Sequence, residues 1–238
     1  MSALAAYWRS TVGKKMVMAI TGLILFAYVF VHMLGNLQLY AGADKDGIYY
    51  INEYAKFLHS TRAAPLLWTA RIVLMACVVL HVWAAIVLTL QAWGARPVRY
   101  AKRVYREAGY AARTMVWSGP IIGAFLVFHI LHLTENKVGL PFDYQVVNNV
   151  KIDAPDAYLN LLNGFAIPGV AIAYIVAVLM LGWHFKHGLW SWFQTLGWSH
   201  PAHDGARRCV ANILTAIVVI GDLSFPIYVL VQKFGGAA

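Results

Sequence analysis

Five runs of almost uninterrupted apolar side chains dominate the chain, at roughly residues 17–39, 66–92, 115–134, 165–185 and 210–232. Each reaches the about 20 residues that a helix needs to cross a hydrocarbon core of ~30 Å. Within these runs only Arg71 and Asp222 are charged. The pattern predicts an all-α membrane protein, with residues 1–238 forming one bundle of five transmembrane helices. Buried soluble helices are the other reading of such runs, but too little polar sequence remains to cover a core of that size. Arg9, Lys14 and Lys15 precede the first run, and no small-residue cleavage signature accompanies it. That run reads as a retained helix and not as a secretory signal.

Composition sharpens this picture. Of 238 residues, 61% are hydrophobic and 12% charged, and mean hydropathy is +0.61, whereas soluble domains carry about 25% charged residues. A water-soluble enzyme with its own polar surface is excluded. The formal net charge of +9 would suit nucleic acid only if the basic side chains gathered on a folded surface; here they punctuate apolar runs. Two cysteines, Cys77 and Cys209, make no disulfide framework, and the absence of a CxxCH motif excludes covalent haem attachment.

Lysine and arginine set the expected orientation, because cytoplasmic segments are enriched in them. The N-terminal tail carries Arg9, Lys14 and Lys15, and the second connection Arg96, Arg99, Lys102, Arg103, Arg106 and Arg113. The fourth carries Lys186, Arg207 and Arg208, while the remaining connections are diluted by acids such as Asp44, Asp46, Glu53, Asp143 and Asp156. The N-terminus is expected in the cytoplasm and the C-terminus outside, in a multi-pass protein of a bacterial inner (cytoplasmic) membrane. Residues 43–64 and 136–164 then form the outer side and cap the bundle. The stretch Arg96–Arg113 is expected as a basic helix on the inner surface, serving either as a dock for a soluble partner or anionic lipid, or simply to enforce topology.

Candidate chemistry lies in the histidines. Of nine, six fall in or beside the runs: His32, His81, His129, His132, His184 and His187. One intramembrane histidine can be a simple cross-bundle hydrogen bond. Four helices each carrying one are harder to dismiss, since ionisable groups at depth are costly. At ~1.5 Å per residue, His32 lies ~24 Å beyond Met16 and His129 ~22 Å beyond Thr114, both on helices entered from inside. By the same rise, His81 lies ~24 Å beyond Pro65 and His184 ~24 Å beyond Pro168, both entered from outside. Two pairs at two depths suit two stacked bis-histidine haems, whose filled axial positions leave electron transfer as their chemistry. Four unrelated packing histidines remain the alternative. Spacing does not decide between His129 and His132 or between His184 and His187, and the HxxH pairs, including His200/His203, are weak metal motifs without cysteine or carboxylate companions.

Three segments carry a family resemblance: SxxGKKxxMAxTG from Ser10 to Gly22, HMLGNLQ from His32 to Gln38, and HFKHGLWS from His184 to Ser191. With them, the whole chain resembles the cytochrome b membrane anchor of the B-type, di-haem succinate:quinone oxidoreductases, which include succinate dehydrogenases and fumarate reductases (complex II). The resemblance implies two haems b, with His32 and His129 on the distal iron and His81 and His184 on the proximal iron. It leaves His132 and His187 for haem propionates, the subunit interface or helix ends. It implies a flavoprotein subunit and an iron–sulfur subunit as partners, a higher oligomer of the complex as an assembly state, and quinone, menaquinone first, as exchangeable substrate. The chain itself would anchor the complex in lipid and conduct electrons without oxidising succinate. A cytochrome b subunit of a hydrogenase or formate dehydrogenase is the alternative, and a haem-free anchor or transporter a more distant one.

The remaining polar residues divide between chemistry and architecture. Glu53 is a candidate quinone contact on the outer side, or a solvated loop acid. Trp8, Ser10 and Lys14 frame a second candidate quinone site on the inner side, or serve as ordinary interfacial anchors. Arg71 would meet a distal propionate or snorkel to the headgroups. Asp222 is expected to stay neutral and hydrogen-bonded within the bundle. Some fumarate reductases of this class place a glutamate two residues before the fourth-helix ligand for a proton pathway. Here that position is Gly182, so that pathway is expected to be absent.

Overall fold

The computed structural model describes residues 7–95, 109–135, 137–139, 141, 144–147 and 150–235. Five helices are long and apolar enough to span a membrane: α1 (Thr11–Asn36), α3 (Ala64–Gly94), α4 (Tyr110–Leu133), α6 (Pro168–Thr195) and α7 (Asp204–Gly235). Two short helices, α2 (Tyr50–Leu58) and α5 (Ala157–Phe165), lie in the connections. A hairpin of β1 (Tyr144–Val147) and β2 (Val150–Pro155) also forms among the described residues. The other described elements are helical, as expected for an all-α bundle; within the 136–164 connection the backbone pairs in this short ladder as well as in a helix.

Each spanning helix outruns its apolar run at the end of the bundle where α1 begins, while α1, α4 and α6 stop short of theirs at the other end. Helix α1 starts six residues before position 17, where the Ser10 hydroxyl accepts from Gly13 N–H at 3.0 Å and supplies an N-cap. Helix α6 starts at Pro168 instead of 165, because Phe165 ends α5 and a proline suits the first turn, where no donor is needed. It then runs on through Trp190, Trp192 and Phe193, side chains suited to a membrane interface. The predicted basic helix at Arg96–Arg113 lies largely outside the described residues; within them, α4 begins at Tyr110 and takes in Arg113.

Helix α1 packs on α3, α4 on α6, and α6 on α7, with α1 also touching α6 and α7. Close approach is built in at glycines. A Cβ on Gly221 would come within 2.5 Å of the Met33 sulfur, and Met33 is 1% exposed. Large apolar side chains on the outer faces stay open, with Trp117 72% and Ile220 70% exposed. That distribution suits a lipid solvent and would be unusual in water.

Two ends of the bundle follow from the alternation of long helices. One carries the start of α1, the end of α3 and the α6–α7 turn. There Arg207 donates to Trp198 O and His200 O and pairs with Asp204. The opposite end is capped by α2 and α5. Asn52, 5% exposed, donates to Asp156 Oδ1 at 3.0 Å and accepts from Tyr158 N–H at 2.9 Å. The rings of Tyr49 and Tyr158 stack at 3.6 Å. Burial, and then the hydrogen bond with Tyr49, push the Tyr158 phenol up to about 12. Lys233 of α7 donates to Ala166 O at 2.8 Å and ties the last helix to the α5–α6 break.

Candidate functional site

Four half-buried histidines project between the packed helix pairs α1/α3 and α4/α6. His32 of α1 faces His129 of α4, with ring centroids 5.8 Å apart. His81 of α3 faces His184 of α6, at 6.2 Å. The first pair lies toward the capped end, the second toward the end where α1 begins. The structure thus brings together the residues that helix depth pairs.

Within each helix pair the other ring nitrogen is tied back to the packing partner. Nδ1 of His81 lies 3.1 Å from Met18 O and 3.2 Å from the Thr21 hydroxyl, both on α1. Thr21 gives its own proton to Val17 O at 2.7 Å, so His81 is the donor on Nδ1. Nδ1 of His184 lies 3.4 Å from the Ser118 hydroxyl of α4. Nδ1 of His129 lies 3.3 Å from the Tyr174 hydroxyl of α6. A proton held on Nδ1 leaves Nε2 as the free lone pair, the arrangement that fixes tautomer and ring plane in metal-binding histidines. His32 differs: its Nε2 lies 3.2 Å from Asn36 Nδ2.

These separations suit a metal held between two imidazoles. Two metal–nitrogen bonds of about 2 Å put the nitrogens about 4 Å apart, and the half-rings beyond them bring the centroids to about 6 Å. Space has also been cleared: a Cβ on Gly22 would come within 3.0 Å of His81 Cε1. Among the described residues no group of three or more His, Cys, Asp or Glu could hold a metal ion. A cage built wholly from protein ligands is thus not formed there. The donor set is two imidazoles per site, which fits a metal whose remaining ligands come with a macrocycle.

The other candidates are placed as follows. His132 is 4% exposed, stacks on Phe128 and has Nδ1 3.0 Å from the Tyr174 hydroxyl. His187 is half-buried one turn beyond His184. Arg71 is exposed and lies over the Trp68 ring at 5.0 Å. Glu53 sits in the first turn of α2 and pairs with Lys56 at 3.6 Å. At the other end Ser10 caps α1, Lys14 is buried with Nζ 2.5 Å from Arg9 O, and Trp8 is 46% exposed. The two proposed quinone regions are therefore at opposite ends of the bundle.

Sequence reasoning did not single out Ser118 and Tyr174. Each is a hydroxyl in an apolar span, a class of residue that must find a partner at depth, but the partners stand 66 and 45 positions away in the chain. Comparison with protein-family models, curated proteins and solved structures gives no match for this chain.

Proposed function

We propose that this protein is the di-haem cytochrome b anchor of a succinate dehydrogenase or fumarate reductase, carrying electrons between an iron–sulfur subunit and membrane quinone. The observation that carries the reading is the pair of facing histidines at each of two depths, 5.8 and 6.2 Å apart, three of the four with Nδ1 tied back to a neighbouring helix. His32 and His129 would hold one haem b, and His81 and His184 the other. Haem held by two imidazoles supplies one-electron transfer with no open coordination site. The chain's own contribution is to fix the imidazoles, exclude water from them with apolar helices, and keep the two sites at separate depths.

Motif resemblance supports the choice of complex, and with it the flavoprotein and iron–sulfur partners. Basic residues support the orientation. Arg9, Lys14, Lys15, Arg207 and Arg208 gather at the end where α1 begins, which would face the cytoplasm and the iron–sulfur subunit. Quinone would exchange at one of the bundle ends, near Glu53 or near Trp8, Ser10 and Lys14.

The deciding experiment is purification in mild detergent with any co-purifying subunits, followed by pyridine haemochrome quantification. The expected result is two haems b per 26.4 kDa chain, with a flavoprotein active on succinate or fumarate alongside. No haem in protein still bound to its partners would leave a bare scaffold and overturn the reading.

A further inference from the structure

Tyr174 stands at the junction of two imidazoles that play different parts. Its side chain is 6% exposed and is walled by Phe125, Phe128 and Phe165 at centroid distances of 4.8, 5.9 and 4.8 Å. A phenol so enclosed is costly unless its hydroxyl is hydrogen-bonded. Both hydrogen bonds go to imidazole, to His129 Nδ1 at 3.3 Å and to His132 Nδ1 at 3.0 Å.

One hydroxyl has a single hydrogen to give, so the three groups must be ordered in one direction. If Nε2 of His129 is the coordinating atom, its proton stands on Nδ1 and is donated to the Tyr174 oxygen. The hydroxyl then donates onward to Nδ1 of His132, whose own proton is on Nε2. His132 is held for this part by its surroundings. A Cβ on Gly139 or Gly164 would come within 3.1 Å of its Nε2, so both glycines let backbone close around the ring.

We propose that Tyr174 and His132 are positioning residues for the His129 ligand: a one-way chain, His129 to Tyr174 to His132, that fixes its tautomer and ring plane and strengthens it as an electron donor to iron. This rests on the haem reading above. Hydrogen bonds in series polarise one another, and an imidazole that donates its second N–H is a more basic ligand. A more basic ligand favours the ferric state, so the chain lowers the potential of the haem held by His32 and His129. At the other site the series end on backbone carbonyls and not on a second imidazole: His81 meets Met18 O and the Thr21 hydroxyl, which donates to Val17 O, and Nδ1 of His184 lies against the Ser118 hydroxyl, which donates to Met115 O.

The test uses the assembled complex carrying wild-type chain, Tyr174→Phe or His132→Leu. Haem content, potentiometric titration followed at the haem absorbance bands, and the low-spin ferric EPR signals are measured together. Tyr174→Phe should keep two haems, shift one midpoint upward and move one of the two EPR signals, with the other haem unchanged. His132→Leu, which leaves the phenol in place, should shift the same midpoint in the same direction by a smaller amount. Unchanged midpoints and signals in a two-haem Tyr174→Phe protein would overturn the inference and leave the haem reading standing. If Tyr174→Phe does not assemble, an unchanged His132→Leu protein overturns it instead. Loss of haem from both variants would reduce the pair to scaffolding and likewise overturn the tuning role. Wild-type complex without haem would overturn the underlying reading itself.

Discussion

At the scale of single residues, the space around His81 is set by what is missing opposite it. Gly22 presents bare backbone to the ring, and a methyl there would stand 3.0 Å from Cε1, tighter than ordinary van der Waals contact. Alanine can be met by a shift of a few tenths of an ångström; a branched side chain cannot. On the proposed di-haem reading, the expected outcome is that Gly22→Ala retains both haems with a perturbed spectrum for one, while Gly22→Val lowers haem content from two per chain toward one. The measurement is haem per polypeptide in the purified complex, and full occupancy in Gly22→Val would contradict the close approach. Gly182 shows the same logic from the other side. A Cβ there would lie 2.7 Å from Val219 Cγ2, so α6 and α7 pack too closely at this level for a carboxylate side chain without displacing Val219. That steric reason accompanies the expected absence of a proton pathway through position 182.

At the scale of elements, the capped end depends on one side chain reaching between two short helices. Asn52 satisfies Asp156 and Tyr158 N–H at once, and it is nearly fully buried. Truncation to alanine takes the side-chain acceptor from Tyr158 N–H, which costs about 1–3 kcal/mol for a donor left unpaired, while Asp156 Oδ1 keeps Leu159 N–H. For a chain of this length each kcal/mol moves the thermal midpoint by about 2–4 °C. Asn52→Ala should therefore lower the midpoint in detergent by several degrees, whereas Lys56→Ala, which breaks only the exposed pair with Glu53, should leave it nearly unchanged. Equal midpoints for the two variants would remove Asn52 from its bridging role. These caps were the least legible elements in the sequence. Residues 50–58 and 157–165 are too short and mixed to stand out beside runs of twenty apolar residues, and the β1–β2 hairpin offers no longer pattern. The spanning helices were legible because a hydrocarbon core imposes one long apolar run on each. Their ends were not: hydropathy stops at the edge of the apolar layer, while helix continues through turns such as Lys186–Thr195 that mix charged, aromatic and polar side chains.

For the whole molecule, a division of labour follows from which helices pack. Helices α1 and α3 form one packed pair and α4 and α6 another, and the His32/His129 and His81/His184 pairs both cross from one to the other. The hydrogen-bond partners of His81, His184 and His129 come from within each histidine's own packed pair. Depth along each helix was readable from the chain, because rise per residue is fixed. The anchoring hydroxyls were not, because their partners are set by which helices become neighbours. The proposed orientation rests on charge: cationic segments are retained on the cytoplasmic side, and Arg9, Lys14, Lys15, Arg207 and Arg208 lie at one end of the bundle. On that proposal an odd number of spans would put the end of α7 outside. A C-terminal alkaline phosphatase fusion should be active and a C-terminal green fluorescent protein fusion dark, with the reverse after truncation behind Gly94, which ends the second span at the basic face. Removing the positive charges by Arg9→Gln, Lys14→Gln and Lys15→Gln together should weaken this preference without abolishing it, because Arg113, Arg207 and Arg208 remain on the same side. A fluorescent, phosphatase-inactive C-terminal fusion in the unaltered chain would invert the bundle, and the histidine pair nearer the cytoplasm would then be His32 with His129.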